Sequence, residues 1–129
     1  MALCEFLWAF AMGAFGYGAM ELVWRGWTHW TMLIDGGVCF SLIYFTATRL
    51  NVSLWRGMLA SAAAITLVEL VSGVIVNISL GWNVWDYSAE PFNLLGQICP
   101  LYCLIWLAIS PPCIALARYM RRRLLPRGA

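Results

Sequence analysis

The sequence predicts an all-α integral membrane protein, a single four-helix bundle with its N-terminus and C-terminus both cytoplasmic. Three observations lead there. The 129-residue chain is 63% apolar and only 11% charged, with a mean hydropathy of +0.78, outside the usual composition of a soluble domain. Its apolar residues fall into four runs, about 3–24, 31–48, 58–80 and 92–117, each near the ~20 helical residues that a ~30 Å hydrocarbon core requires. With four crossings, seven arginines (49, 56, 118, 121, 122, 123 and 127) share one side and only Arg25 lies on the other; positive residues are retained on the cytoplasmic side. The partner implied is the lipid bilayer, and the location a cell membrane.

The runs are helices, not strands, because barrel strands need only ~9–11 residues and lipid demands that backbone groups be satisfied within a segment or a closed barrel. Helix 1 carries Gly13, Gly16 and Gly18, a small-residue face on which another helix, or a second copy of the chain, can approach closely. Glu21 and Arg25 stand four apart and can pair. The single histidine, His29, has no acidic or thiol cluster beside it, so no metal site is indicated. It reads as an interfacial anchor. Helix 2 carries Asp35 on a stripe with Thr28, Thr31 and Cys39, facing inward. Trp24, Trp27, Trp30, Trp55, Trp82 and Trp85 fall at expected boundaries, where indoles concentrate; Trp8 and Trp106 are expected to pack within helices.

Helix 3 holds the residue hardest to place. Over 58–80, Glu69 is eleven residues from either end, about 16 Å at ~1.5 Å per residue, near the bilayer midplane. A mid-helix acid costs ~2.5–3.5 kcal/mol to insert, so it calls for a partner or a function. Thr66, Gly73 and Asn77 share its stripe. Between helices 3 and 4 the stretch Gly81–Cys99 gathers Trp82, Trp85, Asp86, Glu90, Asn93 and Gln97, on the outer side. Pro91 suits a helix start. Pro100 is expected to kink helix 4, and Pro111-Pro112 to disturb its inner end. A basic tail, 118–129, follows, suited to anionic lipid. Five cysteines (4, 39, 99, 103 and 113) lack a disulfide-framework spacing. They read as packing residues, and Cys99-x-x-x-Cys103 is not a Cys-x-x-Cys redox motif.

The run Thr66-x-x-Glu69-x-x-x-Gly73, then Trp85-Asp86-Tyr87-Ser88, then Pro91-Phe92-Asn93-Leu94-Leu95-Gly96-Gln97-Ile98-Cys99, and then Trp106, resembles the ABC-transporter permease type IV family of small membrane proteins. Gly18-x-x-Glu21 and Arg25-Gly26 fit the same pattern. The resemblance marks Glu69, Trp85, Asp86, Tyr87, Ser88, Asn93, Gly96 and Cys99, and it implies a transport-related permease or transporter subunit of four or five helices. The chain contains no Gly-x-x-x-x-Gly-Lys-Ser/Thr phosphate loop, so an ATPase would be a separate partner.

From the residues themselves, the first reading is transport, with Glu69 as a midplane carboxylate and Asp35, Glu21, Arg25, Asp86, Asn93, Gln97 and Asn77 forming a substrate or ion path. The second is a non-catalytic structural or regulatory membrane subunit. The third is a membrane enzyme, for which no catalytic residues stand out. No feature calls for a cofactor. A small net charge of +2 without any lysine gives no argument for nucleic acid.

Overall fold

In a computed structural model, residues 2–124 are described; Arg127 and the end of the expected basic tail lie outside them. Four helices form the protein: α1 (Leu3–Arg25), α2 (Trp30–Arg49), α3 (Leu54–Gly73) and α4 (Pro100–Tyr119). Wider π-type turns extend α3 over Val74–Ser79 and α4 over Met120–Leu124. All four are long and apolar enough to cross a membrane, and the chain is a multi-pass membrane protein. Among the described residues there is no strand, only an isolated bridge between Leu94 and Ile98.

Local chemistry sets the ends. Gly26, at φ 76°, terminates α1 and donates its N–H to the Leu22 carbonyl at 3.0 Å, the left-handed stop that glycine favours. His29 caps α2, its Nδ1 accepting from the Thr31 N–H at 3.3 Å, and its ring packs against both Trp30 and Trp82. Ser53 Oγ accepts from the Arg56 N–H at 3.4 Å, so α3 begins at Leu54 rather than at the expected residue 58.

α4 begins eight residues later than the apolar run predicts. Phe92 and Leu95 have φ of 57° and 56°, which no right-handed helix accommodates, and the Asn93 side chain accepts from the Gly96 N–H and donates to the Ser88 and Glu90 carbonyls. These bonds fold 92–99 into tight turns instead. Pro100 consequently sits in the first turn of α4, where its missing N–H costs nothing, and does not kink a helix already under way. α4 also runs on through Pro111 and Pro112 to Tyr119.

α2 is the central helix, in contact with the other three, while α3 also packs on α4. The α1–α2 contact is a backbone one. A Cβ on Gly36 would lie 2.6 Å from the Gly13 carbonyl and 2.5 Å from the Tyr17 Cβ, and Gly18 lies under Leu33. Two of the three glycines of the α1 face are thus taken up within the chain, not left for a second copy.

At the arginine-bearing end α1 reaches α4, where Ala9, Phe40, Tyr44, Ala117 and Met120 form one buried cluster. Here Glu5 binds Arg49 at 2.5 Å and Arg121 at 3.1 Å, joining α1, α2 and the extension of α4. Toward the other end α1 and α4 part. Trp8 is not packed but 55% exposed on the apolar surface. Trp85 is not interfacial but buried with Met32, Val76 and Val84.

Two glycines test the packing. Gly36→Leu is expected to lower the thermal midpoint of the detergent-purified protein by the equivalent of about 1–3 kcal/mol or more, the cost of forcing packed elements apart. Gly16→Leu, where an added Cβ meets nothing within 4 Å, is expected to leave it within about 0.5 kcal/mol of the parent. Circular-dichroism melting checks both.

Candidate functional site

On α3 the buried residues Gly57, Ser61, Ile65, Glu69 and Gly73 recur every four positions, a single helical stripe turned toward α2 and α4. It delivers Glu69 into the bundle, where the residue is 6% exposed. Both carboxylate oxygens are occupied. Tyr87 donates its hydroxyl to Oε1 at 2.8 Å, and Trp106 on α4 donates its indole N–H to Oε2 at 2.9 Å. Hydrogen bonds to a charged acceptor are among the stronger ones a protein makes, ~1.5–3 kcal/mol each, which offsets part of the cost of burying the acid.

Tyr87 reaches Glu69 because the segment between α3 and α4 is folded into the bundle, not laid over it. Gly73, one turn beyond Glu69, leaves the slot that Gln97 fills: a Cβ there would lie 2.5 Å from Gln97 Oε1. Asn77 on the π turn donates to Gln97 Oε1 at 2.8 Å and accepts from the Val84 N–H at 2.7 Å. The Trp85 indole donates to the Gln97 carbonyl at 3.2 Å, and the Tyr87 N–H to the Gly96 carbonyl at 2.7 Å. Irregular backbone at this depth needs such partners, since neither a helix nor a ladder supplies them.

The remaining expected residues divide. Asp35 on α2 accepts from Ser72 on α3 at 2.5 Å, with its second oxygen buried and unpartnered. Glu21 and Arg25 pair on one face of α1, and Arg25 also donates to the Val84 carbonyl at 2.8 Å while its guanidinium lies 3.9 Å over the Trp27 ring. Glu21 and Asp35 both lie within electrostatic reach of Glu69. Asp86 and Asn93 do not join this group. Asp86 is exposed and accepts from the Ser88 N–H and hydroxyl, bonds that hold its carboxyl below the usual carboxylate range. It shapes the turn against Gly96, and Asn93 shapes the next one. All five cysteines are free thiols. Among the described residues no group of three or more His, Cys, Asp or Glu could hold a metal ion.

Where α1 and α4 diverge, a cavity of about 610 Å³ opens above this clasp, lined by Tyr17, Glu21 and Arg25 of α1, by Trp85 and Tyr87 of the loop, and by Tyr102 and Trp106 of α4, among others. Tyr17, Tyr102 and the Glu5–Arg49–Arg121 cluster were not singled out by sequence. One signal was there: Tyr17, Glu21 and Arg25 follow each other at four-residue steps, as do Tyr102 and Trp106, so each set shares a helical face.

Fold and site together define a small multi-pass helical membrane protein with a loop anchored in its bundle beside a buried carboxylate. The chain belongs to the family described as Putative ABC-transporter type IV, which it matches over residues 4–125, a span that includes every residue of the clasp and of the cavity. No curated protein and no solved structure matches it.

If Asn77 anchors the loop, Asn77→Leu should release it by about 1–3 kcal/mol, the cost of leaving buried polar groups without partners. In a protein whose only cysteine is Cys99, 2% exposed in the parent, maleimide labelling is expected to accelerate about tenfold or more. An unchanged labelling rate would show that Asn77 does not hold the segment.

Proposed function

We propose that this chain is a transport subunit of a cell membrane, with Glu69 as the carboxylate that takes up and releases a cation or a proton during transport. One observation carries the reading: an acid buried at the middle of a membrane helix, with one oxygen held by the loop and the other by α4. Intramembrane carboxylates are costly and concentrate on ion and substrate paths. The path runs from Glu69 past Asp35 to the Glu21–Arg25 pair, with Asn77 and Gln97 holding the loop that closes it; Asp86 and Asn93 serve by shaping that loop.

The two bonds give the carboxylate a way to move the protein. Ionised, Glu69 accepts from both Tyr87 and Trp106. When one oxygen takes up a proton or turns to a cation, that oxygen loses acceptor strength, and the donor on it is freed. Release of Tyr87 loosens the loop, and release of Trp106 loosens α4 against α3. Loading of the site is thereby coupled to its exposure, the requirement for alternating access. The charged groups facing Glu69 are Glu21 from α1 and Asp35 from α2.

In this reading both termini are cytoplasmic and the loop lies on the outer side, supported by the clustering of Arg49, Arg56, Arg118, Arg121, Arg122 and Arg123 at the end opposite the loop. The family description supports a separate ATPase as partner, and the arginine-rich end is where it would act.

The test is Glu69→Gln, close in size to the protonated acid. It is expected to fold, to lose the proton-linked change in emission of Trp85 and Trp106 in the purified protein, and to abolish charge-coupled uptake into proteoliposomes. Tyr87→Phe, which removes one ~1.5–3 kcal/mol bond, is expected to fold and to uncouple partially. If both variants instead fail to accumulate or melt early with no selective loss of uptake, the clasp is structural and the chain a non-catalytic subunit.

A further inference from the structure

The cavity between α1 and α4 combines a ring array with a carboxylate standing directly behind it. Tyr17 and Trp106 have ring centroids 6.2 Å apart, Trp106 and Tyr102 another 6.2 Å, and Tyr102 stacks on Tyr87 at 4.3 Å with planes 10° from parallel. The four rings form a continuous wall. Two of them, Tyr87 and Trp106, donate their polar hydrogens to Glu69, which pushes electron density back into the rings and strengthens the negative potential of their faces.

The charged lining residues already balance each other. In the lining Glu21 and Arg25 pair with each other, and that guanidinium is also engaged by the Val84 carbonyl and the Trp27 ring, while Glu69 stands behind the wall as the acceptor of the Tyr87 hydroxyl and the Trp106 indole. The rest of the lining is apolar, including Met20, Val23 and Ile109, and Val23 and Trp24 are exposed on the outer surface of α1, so the cavity opens sideways toward the membrane. At about 610 Å³ it is within the ~300–1,000 Å³ of small-molecule sites. An anion would meet electron-rich ring faces backed by Glu69. A neutral lipid would leave both unused. A cation with apolar substituents uses the rings, the carboxylate behind them and the apolar wall together.

We infer that the cavity binds a lipophilic organic cation, a quaternary ammonium or phosphonium centre with apolar substituents, seated on the faces of Tyr17, Trp106 and Tyr102 with Glu69 as its counter-charge. The inference rests on the transport reading of Glu69 and names its substrate class.

Two ions of the same size and shape and opposite charge decide it: tetraphenylphosphonium and tetraphenylborate, titrated into the purified full chain in nanodiscs, with equilibrium dialysis and quenching of tryptophan emission as readouts. Saturable binding of tetraphenylphosphonium is expected, at least about tenfold tighter than tetraphenylborate. Tyr102→Leu, which removes a ring face without touching Glu69, is expected to weaken it about tenfold, and Tyr102→Phe to restore it. Glu69→Gln should weaken it further. Equal binding of the two ions, preference for the borate, or no saturable phosphonium binding overturns the substrate class, while the transport reading stands if Glu69→Gln still abolishes charge-coupled uptake. Phosphonium binding that Glu69→Gln leaves unchanged overturns the counter-charge assignment, and charge-coupled uptake that Glu69→Gln leaves unchanged overturns the transport reading.

Discussion

A carboxylate in the middle of an apolar helix must be given donors from somewhere, and α3 cannot supply them, because its own backbone N–H groups are spent on the helix. In this protein the donors come from a tyrosine on a loop and a tryptophan on α4. Much of the remaining architecture follows from bringing those two side chains to Glu69. The loop must penetrate the bundle, so Gly73 gives it room and Asn77 and Gln97 satisfy its polar groups. Because the loop occupies the space between α3 and the cavity, α4 starts only at Pro100, with Tyr102 and Trp106 on the face that meets it.

The two ends of the bundle are held differently. At the arginine-rich end, Glu5 bridges Arg49 and Arg121, and an apolar cluster fills the space between α1 and α4. At the loop end, α1 is tied through Arg25 to the Val84 carbonyl, not to α4. The backbone contact of Gly13 with Gly36 fixes α1 on α2 between these points. The result is a wedge, closed at one end and open to the side at the other. Motion of the loop or of α4 about Glu69 would change the open end most, where α1 meets α4 through the Tyr17 and Trp106 rings.

How far the sequence could be read depended on the range of the interactions involved. Helix number and approximate position follow from runs of apolar residues, a local property that lipid makes decisive. Glu69, Asp35, the Glu21–Arg25 pair, Asn77 and Gln97 stood out because polar residues are few and expensive in such a chain. The start of α4 did not, because Phe92 to Cys99 looks apolar enough for a helix until Asn93 bonds to its neighbours and forces Phe92 and Leu95 to positive φ. The places of Trp8 and Trp85 were equally illegible, since an indole serves at an interface, on lipid or in a core.

The sequence by itself determined an all-helical membrane protein with four spans and a membrane-embedded acid, because the bilayer punishes any other use of these apolar runs. Only the tertiary structure decided what the acid meets. Tyr87 lies 18 residues from Glu69 along the chain and Trp106 lies 37, and no local pattern encodes that both converge on one carboxylate. The same holds for the cavity, whose walls come from two helices at opposite ends of the sequence and from a loop that had to fold inward to complete it.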